Sequence, residues 1–441
     1  MRISRRDAMR VGFSGLASLA FPAAMPLWPA RSSEGFERAR RGASDRILVL
    51  IQLEGGNDGL NTVIPYRDDA YRAARPALAV PLGEELAVDA ENGFHPQLWR
   101  LANRYVDAGQ VAVVQNIGYA QPNQSHFSSM DFFEFGMVPG EPAPSTGWLA
   151  RYFERECAGA ESENPLAITT AGIGLVPDCF RGMRGYTPPA ISQTHTYAIR
   201  AGEDTAARLA AIRAVNAGAT EDPEIEFLQR AEQQTEASIE ELQRAAARPT
   251  LVDEREYADD TLGRGLKLVS RIIRSGFPTR IFYASQTGYD THGVQVNLRD
   301  PLNTGTHPQL LGALDQSLDA FLTEMEWSGH LDRVLVMTFS EFGRRVKENG
   351  SGNQRGTDHG AANCFLLAGG GVKGAIYGGQ PDLEDLDQGN VRHKIDFRSL
   401  YAKVISGWLG GNPASVFDAP VLDRVVAPEL GKLDLFKTVS D

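Results

Sequence analysis

The stretch RILVLIQLEGGNDGLN, Arg46–Asn61, runs an unbroken apolar segment straight into a glycine-rich turn. A short apolar run bounded by turn residues is the pattern of a buried strand. Four further runs share the character: VAVVQNIG (Val111–Gly118), RIFYAS (Arg280–Ser285), RVLVMTFS (Arg333–Ser340) and CFLLAGGG (Cys364–Gly371). Helical patterns lie between them. In HPQLLGALDQSLDAFLTEME (His307–Glu326), Leu310, Leu311, Leu314, Leu318, Phe321, Leu322 and Met325 fall on one face. FRSLYAKVISGWLG (Phe397–Gly410) has a similar face and stops at a glycine. Strands separated by helices predict an α/β fold, a mostly parallel sheet with helices on both faces. Ligands of such sheets sit at the carboxyl ends of the strands.

The segment from about 145 to 276 breaks this rhythm with a long charged helical pattern, EIEFLQRAEQQTEASIEELQRAAAR (Glu224–Arg248). It is expected to be a helical insertion capping the site, within one domain spanning 46–441. Ahead of that domain, residues 31–45 read as a polar linker and residues 1–30 as an export signal. Arg5 and Arg6 follow Ser4 and precede an apolar, small-residue run, the layout of a twin-arginine signal. Export to the periplasm is the expected destination, and an uncleaved segment would tether the chain to the membrane.

With 56 acidic against 44 basic side chains the net charge is -12, which argues against a nucleic-acid partner because a duplex binder needs a basic face. Hydrophobic content of 42% with 23% charged residues is ordinary for a globular chain. Cys157, Cys179 and Cys364 contain no C-x-x-C, so no zinc-finger or redox motif is present; one disulfide is open, its pairing undecided.

Five polar clusters accompany the strand runs: Asp58 in GGNDGLN, Ser125 and His126 in NQSHF, Asp290 and His292 in YDTHG, Glu341 in SEFGRR, and Asp358 with His359 in GTDHG. Singly, each is an ordinary turn or a structural histidine. Together at one sheet edge they form a metal-ligating set. Carboxylates and imidazoles without cysteine suit Zn²⁺ above all, then Mn²⁺, with Mg²⁺ or Ca²⁺ as alternatives, in one or two ions. Asp290 and His292, two apart, point the same way in an extended segment. Ser125 is either the N-cap of the helix that follows or a nucleophile activated at that helix terminus. Arg344 and Arg345 can hold an anionic oxygen or pair with Glu341 or Glu348.

LEGGNDGLNTVIPY, NQSHFSSMDFFEFG, YDTHGVQ, MTFSEFGRR and GTDHGAANCFLLAGGGVKG, in this order, resemble the family known as domain of unknown function 1501. The resemblance covers nearly all of the chain after the signal. It implies an alkaline-phosphatase-like and sulfatase-like fold, twin-arginine export and a metal site beside a Ser, Thr or Cys nucleophile. On that resemblance Ser125 is the nucleophile and Asp58, Asp290, His292, Glu341 and His359 are metal ligands. Arg344 neutralises substrate charge, while His126 and Asp358 orient the ligands from behind, Asp358 acting on His359. Phe342 stands where the superfamily commonly has a ligand histidine. The expected activity is metal-dependent hydrolysis of phosphate or sulfate esters, with an anionic ester as substrate. The alternative is a non-catalytic cell-envelope binding or assembly protein that keeps the fold with a degenerate metal site.

Overall fold

A computed structural model of the protein describes residues 45–156, 167–170, 176–182, 190–191 and 241–437. The signal segment, the linker up to its last residue, most of the long charged helix and Cys157 lie outside the described residues.

The main sheet is built from β1 (Ile47–Glu54), β2 (Val111–Gly118), β3 (Ala167–Thr169), β4 (Ile281–Thr287) and β5 (Val334–Phe339). A small hairpin of β6 (Arg344–Asn349) and β7 (Gly356–His359) lies outside it, and β8 (Asn363–Ala368), β9 (Ile376–Tyr377) and β10 (Ile395–Asp396) complete it. The order across the sheet is β9-β2-β8-β5-β1-β4-β3, with β10 also on β2. β1 pairs in parallel with β4 and β5, and β3 with β4. Among the described strands of this sheet only β8 is reversed, antiparallel to both β2 and β5. The expected mostly parallel sheet is therefore present with one inverted strand. That inversion has a purpose in the layout: the start of β8, not its end, lies at the carboxyl edge of its neighbours, so the GTDHG segment preceding it arrives at that edge.

Alternation along the strands explains the apolar runs. In β1, Ile47, Val49, Ile51 and Leu53 enter one core layer, while Leu48 and Leu50 enter the other. The first layer is closed by helices Thr261–Arg274 and Thr306–Trp327, through Leu262, Leu266, Val269, Leu311, Leu314 and Phe321. The second is closed by His126–Phe135, Trp148–Glu156 and Phe397–Gly407, where Trp148 stacks on Tyr401 at 4.4 Å between ring centroids. Both faces of the sheet are dry, so neither face needs polar residues.

Much of the expected insertion, 145–276, belongs to these layers. Trp148–Glu156 covers one face, Ala167–Thr169 is a sheet strand, and Thr261–Arg274 covers the other face. These parts bury apolar stripes on the sheet and so are not a cap. Residues 192–240 lie outside the described residues. Cys179 and Cys364 are buried free thiols. Among the described residues no helix is long and apolar enough to cross a membrane.

The turn after β1 carries a backbone constraint. Gly55 and Gly56 have φ of 118° and 82°, and a Cβ on Gly55 would overlap the amide nitrogen of Asp290. One on Gly56 would strike the ring of Phe342. Gly55→Ala is expected to lower stability by about 1–3 kcal/mol from backbone strain alone, with the overlap adding to it. Urea unfolding checks this; an unchanged midpoint would mean that the turn does not seat against Asp290.

Candidate metal centre

The carboxyl edge receives the ends of β1, β2, β4 and β5 and the start of β8, and their loops converge on Asp290. Its Oδ1 lies 3.1 Å from His359 Nε2 and 3.2 Å from His292 Nε2, and its Oδ2 lies 3.6 Å from His126 Nε2. The ligand atoms of His126, Asp290 and His359 all fall within 4.8 Å of one another. The Nε2 atoms of His292 and His359 are 2.9 Å apart. The site is open: the side chains of Asp290 and His292 are 49% and 46% exposed.

Each imidazole is held from behind through Nδ1. His359 Nδ1 donates to the Gln124 carbonyl at 2.8 Å, and because a carbonyl only accepts, the proton must be on Nδ1. His126 Nδ1 donates to Glu341 Oε1 at 2.8 Å, and His292 Nδ1 donates to Asp358 Oδ1 at 3.3 Å. In all three rings this leaves the Nε2 lone pair pointing toward the Asp290 carboxylate. Two lone pairs 2.9 Å apart beside a carboxylate repel unless a positive charge lies among them. An imidazole fixed by an oxygen acceptor on its far nitrogen is the usual arrangement of a metal-ligating histidine. The residues therefore fit a divalent ion.

Protonation tendencies agree for Asp290 and His359 and run the other way for His126, whose ring must give up a proton before it can ligate. Burial would raise the Asp290 pKa, but the hydrogen bond and charge of Arg344, with the neighbouring histidines, bring it down to about 2. Burial holds His359 below the ordinary histidine value, favouring the neutral form that ligates. The hydrogen bond to Glu341 raises His126.

Several expected roles change place. Glu341 is not at the convergence point. It is buried, and its Oε1 accepts both the Gly55 amide at 2.8 Å and the His126 ring, so it orients a ligand. His126, expected behind the ligands, presents its Nε2 to Asp290. Asp358 acts on His292 rather than on His359, and is itself held by Asn349 Nδ2 at 2.6 Å.

Arg344 is unavailable to a substrate, because its side chain is fully buried and every nitrogen is occupied. Nε donates to Gly56 O at 2.7 Å, Nη1 to Thr357 O at 2.7 Å, and Nη2 to Gly55 O, to Tyr289 O at 2.9 Å and to Asp290 Oδ1 at 2.9 Å. It positions the site. Phe342 supplies an apolar floor, with its ring 4.9 Å from His126 and 4.5 Å from His359 between centroids.

Asp58 also stands apart. It is buried, accepts from Arg75 Nη1 at 2.9 and 2.7 Å, and accepts from Gln295 Nε2 at 2.6 Å. Burial is the largest influence and raises its pKa, but the charges of Arg75 and His307 together with the hydrogen bonds from Arg75 and Gln295 outweigh it, and the net shift is downward. Gln295 carries the network on by accepting from Thr357 Oγ1 at 2.8 Å. Asp58 is thus half of a buried ion pair beneath the site, a role that its position in a glycine turn does not reveal.

Ser125 sits at the N-cap of helix His126–Phe135, between the residue whose carbonyl holds His359 and the ring held by Glu341. It is exposed, and its hydroxyl makes no capping bond. Neither Gln124 nor Arg75 stands out in the sequence. Gln124 acts through its backbone, and the partner of Arg75 lies 17 positions away.

Two substitutions separate these roles. Glu341→Ala is expected to weaken metal affinity by about 10–100-fold, because it removes the acceptor that keeps the His126 proton on Nδ1; competition with a chelator measures it. Asp58→Ala is expected to cost about 3–5 kcal/mol by stranding the Arg75 charge, while the folded fraction still takes up metal; unfolding and metal titration together check it.

Among curated proteins none matches this chain in sequence. Among solved structures it is similar to the PsFucS1 sulfatase from Pseudoalteromonas sp., at 11% identity over 87% of this chain and 72% of that one, with a TM-score of 0.37. It is similar to the phosphonate monoester hydrolase SpPMH from Silicibacter pomeroyi, at 11% identity over 88% and 77%, TM-score 0.37. It is also similar to the alkaline phosphatase of the Antarctic bacterium TAB5, at 12% identity over 74% and 93%, TM-score 0.27. Likeness this distant assigns no chemistry. The family described as "Protein of unknown function (DUF1501)" matches residues 45–407, and the chain belongs to it.

Proposed function

We propose that this chain is a metal-dependent hydrolase of phosphate or sulfate esters built around one divalent ion. The observation that carries the reading is the convergence of His126, His359 and Asp290 at an open sheet edge, with His292 Nε2 against Asp290 and His359 and an uncommitted serine hydroxyl on the adjoining helix terminus. His126, His292, His359 and Asp290 would hold the ion. This nitrogen-rich set suits Zn²⁺; Mg²⁺ and Ca²⁺ favour oxygen ligands. When bound, the ion would supply the positive charge that draws an anionic ester to the site and stabilises charge building on it.

The chain's own residues do the rest. Ser125 Oγ forms a bond to phosphorus or sulfur as the ester's alcohol oxygen leaves with the bonding pair and takes up the serine proton. Water then cleaves the seryl ester, releasing the oxyanion and restoring the hydroxyl. The backbone amides at the start of helix His126–Phe135 favour negative charge beside Ser125. Glu341, Asp358 and the Gln124 carbonyl keep the rings in their ligating tautomers, and Arg344 keeps Asp290 ionised. The arginine pair in the first thirty residues supports action outside the cytoplasm.

One observation favours a second reading, a non-catalytic envelope protein with a bound metal. Arg344, the arginine expected to neutralise a departing group, is sealed away and committed to holding the loops. Activity separates the two. Stripping the metal from the purified protein with a chelator is expected to abolish hydrolysis of aryl phosphate or aryl sulfate esters, and Zn²⁺ to restore it. Ser125→Ala is expected to lower kcat by on the order of 10³-fold or more with metal content unchanged. A metal-loaded protein inactive on both esters would favour the second reading.

A further inference from the structure

Beside the metal centre runs an open groove of about 610 Å³, within the range of about 300–1,000 Å³ usual for small-molecule sites. Five carboxamides line it, Gln121, Asn123, Gln124, Gln388 and Asn390, together with the carboxylate of Asp387 and two prolines. It is continuous with the site through Gln124, whose carbonyl holds the His359 ring while its side chain faces the groove.

The lining selects a chemistry. A carboxamide carries two donors and an acceptor with no net charge, the complement of a hydroxyl group, which both gives and receives. Among the described residues no cation lines the groove, so this lining does not suit a polyanion, and none carries an aliphatic chain larger than proline, so it does not suit an acyl tail. Its walls are loops and a hairpin of two-residue strands, Leu386–Asp387 and Asn390–Val391, which offer an extended peptide little edge to pair with. Much of the hydrogen-bonding capacity is unused: the side chains of Gln121 and Gln388 carry no hydrogen bond to a described residue. Asn390 is the fixed element, only 5% exposed. Its Nδ2 donates to the Asp387 carbonyl at 2.9 Å, and its Oδ1 accepts from Gln124 Nε2 at 3.4 Å. On the same segment as the serine, Phe127 stands 87% exposed, an aromatic face three residues along the chain from Gln124 of the groove.

We infer that the groove is a subsite for an uncharged polyhydroxylated group, a neutral sugar, so that the ester cleaved is carried on a glycan whose remaining rings lie along Gln121–Gln124 and Gln388–Asn390. What is cleaved rests on the hydrolase reading above; what is bound does not. The test is calorimetric titration of the metal-loaded full-length protein with maltopentaose, cellopentaose and N-acetylchitopentaose. At least one is expected to bind, and Gln388→Ala, an exposed position whose loss leaves the fold intact, is expected to weaken that binding about fivefold or more; Asn390→Ala does the same, with thermal unfolding as its folding control. Binding of none of the three, or binding indifferent to both substitutions, overturns the proposal. Saccharide binding without ester cleavage leaves the subsite standing and removes the hydrolase reading. Ester cleavage without saccharide binding does the reverse.

Discussion

A single buried guanidinium holds together the sheet edge that carries the candidate metal centre. Arg344 reaches from the start of β6 to carbonyls after β1, after β4 and in β7, and it completes the set with the Asp290 carboxylate. A charge without solvent tolerates no loss of partners, since an uncompensated buried ion costs several kcal/mol. The loops therefore close around it as a unit. Gly55 and Gly56 lack side chains because the backbone must approach both this guanidinium and the Asp290 amide. Lysine would keep the charge but lose the planar fork that reaches several carbonyls at once. The position of Asp290, and through it the spacing of the three imidazoles, depends on this one side chain.

Below that lies a second buried pair, Asp58 with Arg75, linked through Gln295 to Thr357. The two pairs share the β6–β7 hairpin: Arg344 binds the Thr357 carbonyl, and Arg75 binds the carbonyls of Arg345 and Val346 at 2.9 and 2.8 Å. The hairpin is pinned from both sides and presents His359 at its end. An open, half-exposed cluster of ligands can keep its geometry in solvent because the rigidity is supplied beneath it and not by the ligands themselves.

How much of this is legible in the sequence follows from the kind of information each feature needs. Apolar runs report strands directly, so the layered sheet and the edge at which Asp290, His292 and His359 meet are readable. Strand direction is not, and β8 is the inverted one. The exchange between His126 and Glu341 turns on which of two neighbouring groups faces outward. Helix and turn geometry decide that, and residue order does not. Arg344 and Asp58 mislead for a different reason. Charged residues are nearly always solvated, so a glycine turn with an aspartate or a paired arginine invites a functional role. Burial with a partner distant in sequence is visible only in three dimensions. The mid-chain segment shows the converse error, where amphipathic stripes that cover a sheet resemble those of an independent cap.

The inverted strand also bears on the order of assembly. β8 fills the gap between β2 and β5, two strands whose sequences lie more than two hundred positions apart. Until it inserts, β2 with its serine and His126 has no partner joining it to the half-sheet that carries Asp290, and contacts so distant along the chain are slow to form. On a ribosome, the residues that would grip the ion cannot meet before the chain has been extended past Ala368. Assembly of the candidate metal centre is thereby tied to the closing stage of folding, and a chain stalled earlier offers only scattered side chains.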